Sequence, residues 1–543
     1  MKKAVIVLLL VMLVGVVSGF DYITYDIGDA TGNCSTVQMP RTPVQPTHWQ
    51  TYTDPNFNSV IRRVTDADAD GGAIDGCSNH IIYSMFTHLN SDGSKLVVQT
   101  QGISPCTGWG SGSNAKYAIY NTTDGSFIQF FPPSGYENYV SNEPRWDDND
   151  PNVLYFVAGS QLRKYNFSDS TNILLYDFQD YYDGDPGPSE TVLYIGMKTI
   201  GDFSWDRRYF AFRVNVAGDQ PGGGNGNIDS YSGRYIAIYD IVTDSVIASR
   251  SIGDYCNAYY GSVGDTQLRF ASMSPSGSYV MIEGCDDLKY DTLDLNLNKV
   301  ITIKGTGIDV GHHAWGYDAN GDDVIVANGW GGTGCTDQWV AARMSDGHIT
   351  CLWDPSNTGC PQETCNLYYR SGKGMYVSSI MSNDDKNKGY FSVLQFSRCI
   401  DANGDPLENC WGDKELLLFK VQENPLIWRV AHNENCYVGY WDRGRLSFDQ
   451  QGKYLYFDSD WCTLSSDANG RGVTDIYRIE LPPNWQEDLS GPISNFHDAD
   501  IDHDLVINKT EINAYVERWK GDVSISLSDM VDAIGKWKAG GSY

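Results

Sequence analysis

A strand–turn–strand phrase returns seven times along this 543-residue chain. It reads His88-Leu-Asn-Ser-Asp-Gly-Ser-Lys-Leu-Val-Val98, then Trp146-Asp-Asp-Asn-Asp-Pro-Asn-Val-Leu-Tyr-Phe156, then Phe203-Ser-Trp-Asp-Arg-Arg-Tyr-Phe-Ala-Phe212. It returns as Met273-Ser-Pro-Ser-Gly-Ser-Tyr-Val-Met-Ile282 and Gly316-Tyr-Asp-Ala-Asn-Gly-Asp-Asp-Val-Ile-Val326. Tyr369-Arg-Ser-Gly-Lys-Gly-Met-Tyr-Val377 is a looser copy, and Phe448-Asp-Gln-Gln-Gly-Lys-Tyr-Leu-Tyr-Phe457 is a close one. Each copy joins a polar turn, whose Gly, Asn or Asp tolerates positive φ, to a strand of Val, Ile, Tyr and Phe. The turns centre on about residues 93, 150, 207, 277, 321, 373 and 452, a spacing that suits one four-stranded unit with loops of variable length. Second hairpins fill the gaps, as from Tyr117–Tyr120 to Phe127–Phe130 and from Trp339–Ala342 to Ile349–Trp353. Self-similarity at this period marks a propeller, in which each blade buries its faces against its neighbours. The fold class is therefore all-β, a seven-bladed β-propeller over residues 59–481, with a β-sandwich plus extra strands as the competing reading.

The ends of the repeat bear on closure. The last copy supplies strands near 446–450, 453–459 and 475–481 before Pro482-Pro483 stops it, so one strand is missing. Ser59–Thr65, ahead of the first repeat, is the N-terminal strand expected to complete the ring and remove its exposed edges. Composition agrees with strands and turns: 35 Tyr and 15 Trp stand beside 56 Gly. Lys and Arg number 39 against 69 Asp and Glu, a net charge of −30, which argues against nucleic acid or anionic lipid as partner.

The turns resemble the S-P-D-G-K turn of the propeller family that includes TolB-like and oligogalacturonate-lyase-like proteins. Phe448–Asp460 is the best match and Met273–Gly284 the second, and the resemblance spans roughly residues 50–481. Such motifs specify fold rather than function. In the lyases several histidines and a Gln hold a divalent metal at the channel mouth, and the resemblance puts His312 where one such ligand lies. The last blade departs from the pattern, reading Arg443-Gly-Arg445 where the lyases have a His-x-His-like start. Without that pair β-elimination lacks its Lewis acid. His88, His312, His313, His432, Glu434, Arg443 and Arg445 are placed at the mouth, and His312, His432, Arg443 and Arg445 are the candidate ligand-binding set. Trp315, Trp330, Trp339, Trp441 and Trp461 suit either stacking on sugars or packing between blades.

Outside the repeat the chain changes character. Lys2 and Lys3 precede an apolar run, Ala4–Val17, and the small pair Ser18-Gly19. This reads as a secretory signal peptide over residues 1–19 rather than a membrane anchor, because a span needs about 20 apolar residues. No membrane span is expected after its removal, and residues 20–58 read as an N-terminal extension. All 13 cysteines follow the signal, in close pairs such as Cys256/Cys285, Cys360/Cys365 and Cys436/Cys462, as expected of disulfides in an oxidising compartment. Connectivity is not fixed by spacing, and an odd thiol remains.

Residues 482–493 read as a linker and residues 494–543 as a small helical module. Its first loop places Asp500, Asp502, Asp504, Asn508 and Glu511 at positions 1, 3, 5, 9 and 12, with the Val506 carbonyl at 7. These are the oxygen donors of a seven-coordinate Ca²⁺ site. Leu505 stands at the sixth position, normally Gly, where positive φ costs about 1 kcal/mol or more. The degenerate second half, Gly521–Trp537, makes the pair similar to dockerin-type modules, which implies a cohesin-like surface partner. The sequence thus points to a secreted, extracellular or cell-surface protein that binds a polysaccharide or protein ligand and docks through Ca²⁺. The alternative is a metal-assisted polysaccharide lyase or hydrolase at the channel mouth. No G-x-S-x-G elbow, H-E-x-x-H helix or phosphate loop is present in the sequence.

Overall fold

The architecture was analysed in a computed structural model of the protein. It describes residues 44–486 except positions 56, 58, 269, 426 and 484 and segments 68–76, 82–87, 103–115, 133–143, 184–190, 197–202, 217–233, 262–267, 286–289, 304–307, 330–337, 354–374, 381–386, 396–414, 423–424, 434–443 and 462–473. The described strands form seven antiparallel sheets, the blades of a seven-bladed β-propeller. Blade one comprises Cys77–His80, Lys95–Gly102, Lys116–Asn121 and Phe127–Phe131. Blade two comprises Arg145–Trp146, Val153–Ala158, Gln161–Asn166 and Thr171–Asp177. Blade three runs through Val192–Gly196, Tyr209–Val216, Tyr235–Asp240 and Ser245–Ser251, and blade four through Phe270–Met273, Val280–Glu283, Tyr290–Leu293 and Lys299–Ile303. Blade five has Ile308–Tyr317, Asp323–Gly329, Gln338–Arg343 and Ile349–Trp353; blade six has Met375–Ser379, Tyr390–Gln395, Glu415–Lys420 and Ile427–His432.

Blade seven draws on both ends of the described chain. Leu446–Phe448, Tyr454–Ser459 and Asp475–Glu480 are followed in the sheet by Val60–Arg63 and then Thr51–Thr53. Ile61 pairs with Ile479, Arg62 with Arg478 and Arg63 with Tyr477. The fifth strand, Thr51–Thr53, lies in what the sequence presented as a plain extension. The sixth repeat is also displaced from its expected place. Met375–Ser379 is the first strand of blade six rather than the second, and the connection to Tyr390–Gln395 ends at Gly389 with φ +87°. Asn387-Lys388-Gly389 ends the turn of that blade ahead of Tyr390, whereas the phrase at Tyr369–Val377 runs into the first strand.

First strands lie innermost: that of blade five touches that of blade six, which touches that of blade seven. Fourth strands form the rim, where Ile128, Ile173, Ile247 and Val300 are exposed. The apolar core is distributed among the gaps between blades. Val97, Tyr117 and Ile119 of blade one pack with Trp146, Leu154 and Phe156 of blade two. Met281 and Ile303 of blade four meet Trp315, Ile325 and Val340 of blade five. Gly316 fits the next gap because a β-carbon there would lie 2.3 Å from the Phe391 ring.

Among the described residues, two short helices interrupt the all-β pattern between blades. Phe178–Tyr182 is capped by Asp177, which accepts from the Gln179 amide at 3.1 Å. Ile252–Tyr260 is capped by Ser251, which accepts from the Asp254 amide at 3.2 Å. The second buries Ile252, Tyr255 and Cys256, and Cys256 is disulfide-bonded to Cys285 of blade four. Cys351 is also disulfide-bonded. Among the described residues no helix is long and apolar enough to cross a membrane. The signal residues 1–19 and the module at 494–543 lie outside the described residues.

Around the N-terminal strand a buried carboxylate organises the joint. Asp475 accepts from Arg63 Nη2 at 2.6 Å and Nε at 3.2 Å, from Thr65 Oγ1 at 2.9 Å and from the Ala67 amide at 2.8 Å. Removing one partner of such a pair strands a charge in the interior. Arg63→Met is expected to cost about 3–5 kcal/mol. The denaturant midpoint should fall, and Arg63→Met with Asp475→Asn should recover part of the loss. An unchanged midpoint in Arg63→Met would show that the pair does not hold the joint.

Candidate functional site

The channel has two ends, built from different connections. At one, here the turn end, first and second strands of a blade join. At the other, the entry end, a fourth strand passes to the first strand of the next blade. The sequence nominated residues at the entry end, and the described members occupy distinct surroundings.

Arg445 precedes the first strand of blade seven and is buried. Its Nη1 donates to the Ile81 carbonyl at 2.9 Å, and its amide donates to Asp458 Oδ1. Asp458 Oδ2 also accepts from the Ile81 amide at 3.3 Å and lies 3.2 Å from His80 Nδ1. Thr474 Oγ1 stands 3.1 Å from His80 Nε2. Arg445 therefore belongs to a buried network joining blade seven to blade one. His432 ends the fourth strand of blade six, on the outer side of the ring. Its amide and Nδ1 lie 2.8 and 3.0 Å from Asp54 Oδ2, and its ring packs 4.9 Å from Phe57. Beneath it the buried Arg429 pairs with Glu415 and lies 5.3 Å from the Phe57 ring. Arg445 and His432 thus serve different joints.

His88 and His313 are both buried. The His88 carbonyl accepts from Trp146 Nε1 at 3.0 Å, and the His313 ring stands edge-on to Trp315 at 5.6 Å. His312 lies in the first strand of blade five, but its side chain is outside the described residues, as are Arg443, Glu434 and the calcium-loop residues Asp500, Asp502, Asp504, Val506, Asn508 and Glu511. Trp315, Trp339 and Trp461 are buried in the gaps between blades. Among the described residues no group of three or more His, Cys, Asp or Glu side chains is placed to hold a metal ion.

The turn end holds a chain of contacts that the sequence did not single out. Asn387 Nδ2 of blade six donates to the Gln450 carbonyl of blade seven at 3.3 Å. Gln450 Nε2 donates to Asp148 Oδ1 of blade two at 2.9 Å, and Arg207 Nη2 of blade three lies 2.7 Å from the same oxygen. Arg207 Nε donates to the Trp146 carbonyl at 3.1 Å. A readable signal existed. Where Gly93, Gly277, Gly321 and Gly452 take positive φ in their turns, the third repeat has Arg207, at φ +57°. A non-glycine in that conformation carries strain that needs compensating contacts. Arg207 has three: Asp148, the Trp146 carbonyl and the Phe203 ring, 4.8 Å from the guanidinium.

Burial pushes the Asp148 carboxyl up to about 6 against the opposing pull of Arg207. Burial also raises Asp449 to about 6, although the Tyr454 and Lys453 amides oppose it, and Asp475 to about 6 against Arg63. The carboxylate of Asp147 accepts from the Tyr155 hydroxyl at 2.7 Å, and burial with that bond pushes the phenol well up.

No protein family model matches the chain, and no curated protein matches it. Solved structures with a similar fold include an oligogalacturonate lyase in complex with manganese, at TM-score 0.48 and 16% identity over 83% of this chain and 99% of that one. An oligogalacturonate lyase from Vibrio parahaemolyticus gives 0.47 and 16% over 82% of this chain and 100% of that one. A mitotic checkpoint complex gives 0.39 and 11% over 83% and 98%. Likeness at this level carries no statement about activity.

The three raised carboxyls set a pH dependence. In the unfolded chain Asp loses its proton near 3.8, whereas these groups do so near about 6. Between the two values the native state keeps protons the unfolded chain has lost, so this contribution is full below 3.8 and is lost as pH rises through about 6. The melting temperature should rise on going from about pH 8 to about pH 5. Asp148→Asn with Asp449→Asn should flatten that slope. A melting temperature that falls steadily from neutral pH to about 5 would contradict the assignment.

Proposed function

We propose that the protein is an exported propeller that binds a carbohydrate or protein ligand at the entry end of its ring. Its C-terminal residues would then dock it, through a Ca²⁺-binding dockerin-like module, to a cohesin-like surface protein. The reading is supported by the seven-bladed ring itself, and the commitment of Arg445 and His432 to its joints counts against a catalytic role for either and against a direct ligand contact by either. Both are buried against protein partners, Ile81 and Asp458 for one and Asp54 for the other. Groups held in that way position blades and loops; they are poorly placed to exchange protons with a substrate. The Cys256–Cys285 disulfide suits an oxidising compartment, and the net charge of −30 suits a soluble partner other than nucleic acid. The Ca²⁺ half rests on the sequence register of Asp500, Asp502, Asp504, Val506, Asn508 and Glu511.

The test uses the full chain after signal removal, presented to a polysaccharide panel and to surface proteins in Ca²⁺ and in EGTA. Retention of a ring ligand in both buffers, with a protein partner held only in Ca²⁺, is the expected result. Asp500→Ala with Glu511→Ala should abolish the second and spare the first. Release of unsaturated uronates from an acidic polysaccharide, lost in His312→Ala, would replace this reading with the lyase one. Binding to nothing in either buffer would remove it.

A further inference from the structure

Residues 482–493 have the composition of a free linker, yet the first of them are bound to the ring. Trp485 is 1% exposed. Its indole stacks on Phe448 at 5.9 Å with an interplanar angle of 3°, and lies edge-on to Tyr390 at 5.2 Å. Its Nε1 donates to the Gly452 carbonyl at 2.7 Å. Gln486 follows, its Nε2 donating to Asn387 Oδ1 at 3.1 Å and its carbonyl accepting from the Tyr390 hydroxyl at 2.5 Å. The Leu481 amide donates to the Lys453 carbonyl at 2.8 Å. Gly452, at φ +65°, leaves the room needed, since a β-carbon there would lie 2.9 Å from Gln486 Nε2.

All of these partners stand at the turn end. Gly452 and Lys453 belong to the turn of blade seven and Asn387 to the corresponding connection of blade six. Asn387 also starts the chain of contacts through Gln450 and Asp148 to Arg207, which ties blades six, seven, two and three across that end. Long connections occur at both ends of the ring: first and second strands are joined at the turn end by residues 81–94, 197–208 and 380–389 as well as by shorter turns, and second and third strands are joined at the entry end by as few as two residues, 159–160, and as many as nineteen, 396–414.

The geometry points to Trp485 and Gln486 as a clasp that fixes the C-terminal residues to the turn end of the ring, leaving the entry end for a ligand. The ligand half rests on the reading proposed above; the clasp stands without it. The arrangement orients the molecule. A partner holding the C-terminal residues lies behind the ring, and the entry end faces away from it. Trp485 supplies the anchor because a stacked, hydrogen-bonded indole fixes both position and direction.

Amine-reactive cross-linking with mass spectrometry on the full chain, without ligand, tests the clasp. Lys509, Lys520, Lys536 and Lys538 are the reporters in the C-terminal residues, and Lys95, Lys388 and Lys453 mark the turn end. Lys116, which begins a third strand, marks the entry end. Links to the turn-end lysines should exceed links to Lys116 several-fold, and Trp485→Ala should remove that excess. Gln486→Ala, which leaves the indole in place, should reduce it less. Equal links to both ends in the unaltered chain overturn the proposal whether or not Trp485→Ala folds. An excess that persists in a folded Trp485→Ala also overturns it. Neither result bears on whether the ring binds a ligand, which the polysaccharide and surface-protein experiment decides separately.

Discussion

A sheet with apolar residues on both faces has to be covered twice, and in this chain the main cover is the neighbouring sheet, helped by the helices Phe178–Tyr182 and Ile252–Tyr260. Trp146 has its apolar neighbours in blade one as well as in blade two, and Trp315 packs against Met281 and Ile303 of the preceding blade. No blade contains a core of its own, so stability accrues gap by gap as each sheet meets the next. The consequence falls on the last gap. Val64, Leu96, Val98, Tyr456 and Ile476 fill the space between blades seven and one, and that space exists only when residues far apart in sequence are brought together.

Apolar packing alone does not say how those residues should be aligned, because it is non-directional. Directional groups supply the alignment. Asp475 takes its four donors from Arg63, Thr65 and Ala67, and Asp458 takes its partners from His80, Ile81 and Arg445. A slip of one residue would move Arg63 from Asp475 and turn Ile61 out of the core. A buried ion pair is weak as a source of stability but effective as a source of register. Asp54 and His432 do the same for the segment ahead of the strand, fixing it against blade six.

This division explains what could be read from the residues. The propeller is legible because its signal is repeated along the chain: a polar turn, then a β-branched or aromatic strand. The sixth copy misled because the residues leading to Tyr390, Asn387-Lys388-Gly389, depart from the consensus turn, so the phrase nearest the consensus belonged to another part of the blade. The candidate site was less legible. Arg445 and His432 are polar residues near strand ends, which is equally the description of a ligand contact and of a clamp. Only their partners, Ile81 and Asp458 on one side and Asp54 on the other, distinguish the two. Ile81 and Asp54 lie hundreds of residues away from Arg445 and His432, where no local pattern connects them. Trp485 was hidden for a similar reason. Its neighbours in sequence are Pro, Asn, Gln and Glu, and its neighbours in space are Phe448 and Tyr390.

The polar clamps and the raised carboxyls come from one compromise. Fixing register requires carboxylates in places that exclude water, and exclusion of water favours their protonated form. Asp475 and Asp148 retain cationic partners, Arg63 and Arg207, while Asp449 relies on backbone amides. In a chain carrying a net charge of −30, every buried carboxyl that takes up a proton also lessens long-range repulsion. Mild acid therefore favours the ring twice, locally by relieving desolvation and globally by reducing charge. The turn end gains most, because Asp148 and Asp449 both stand there, beside the residues that hold Trp485. Two of the three raised carboxyls thus stand beside the residues that hold Trp485, and a substitution among them should be felt both in the packing of that indole and in the acid response.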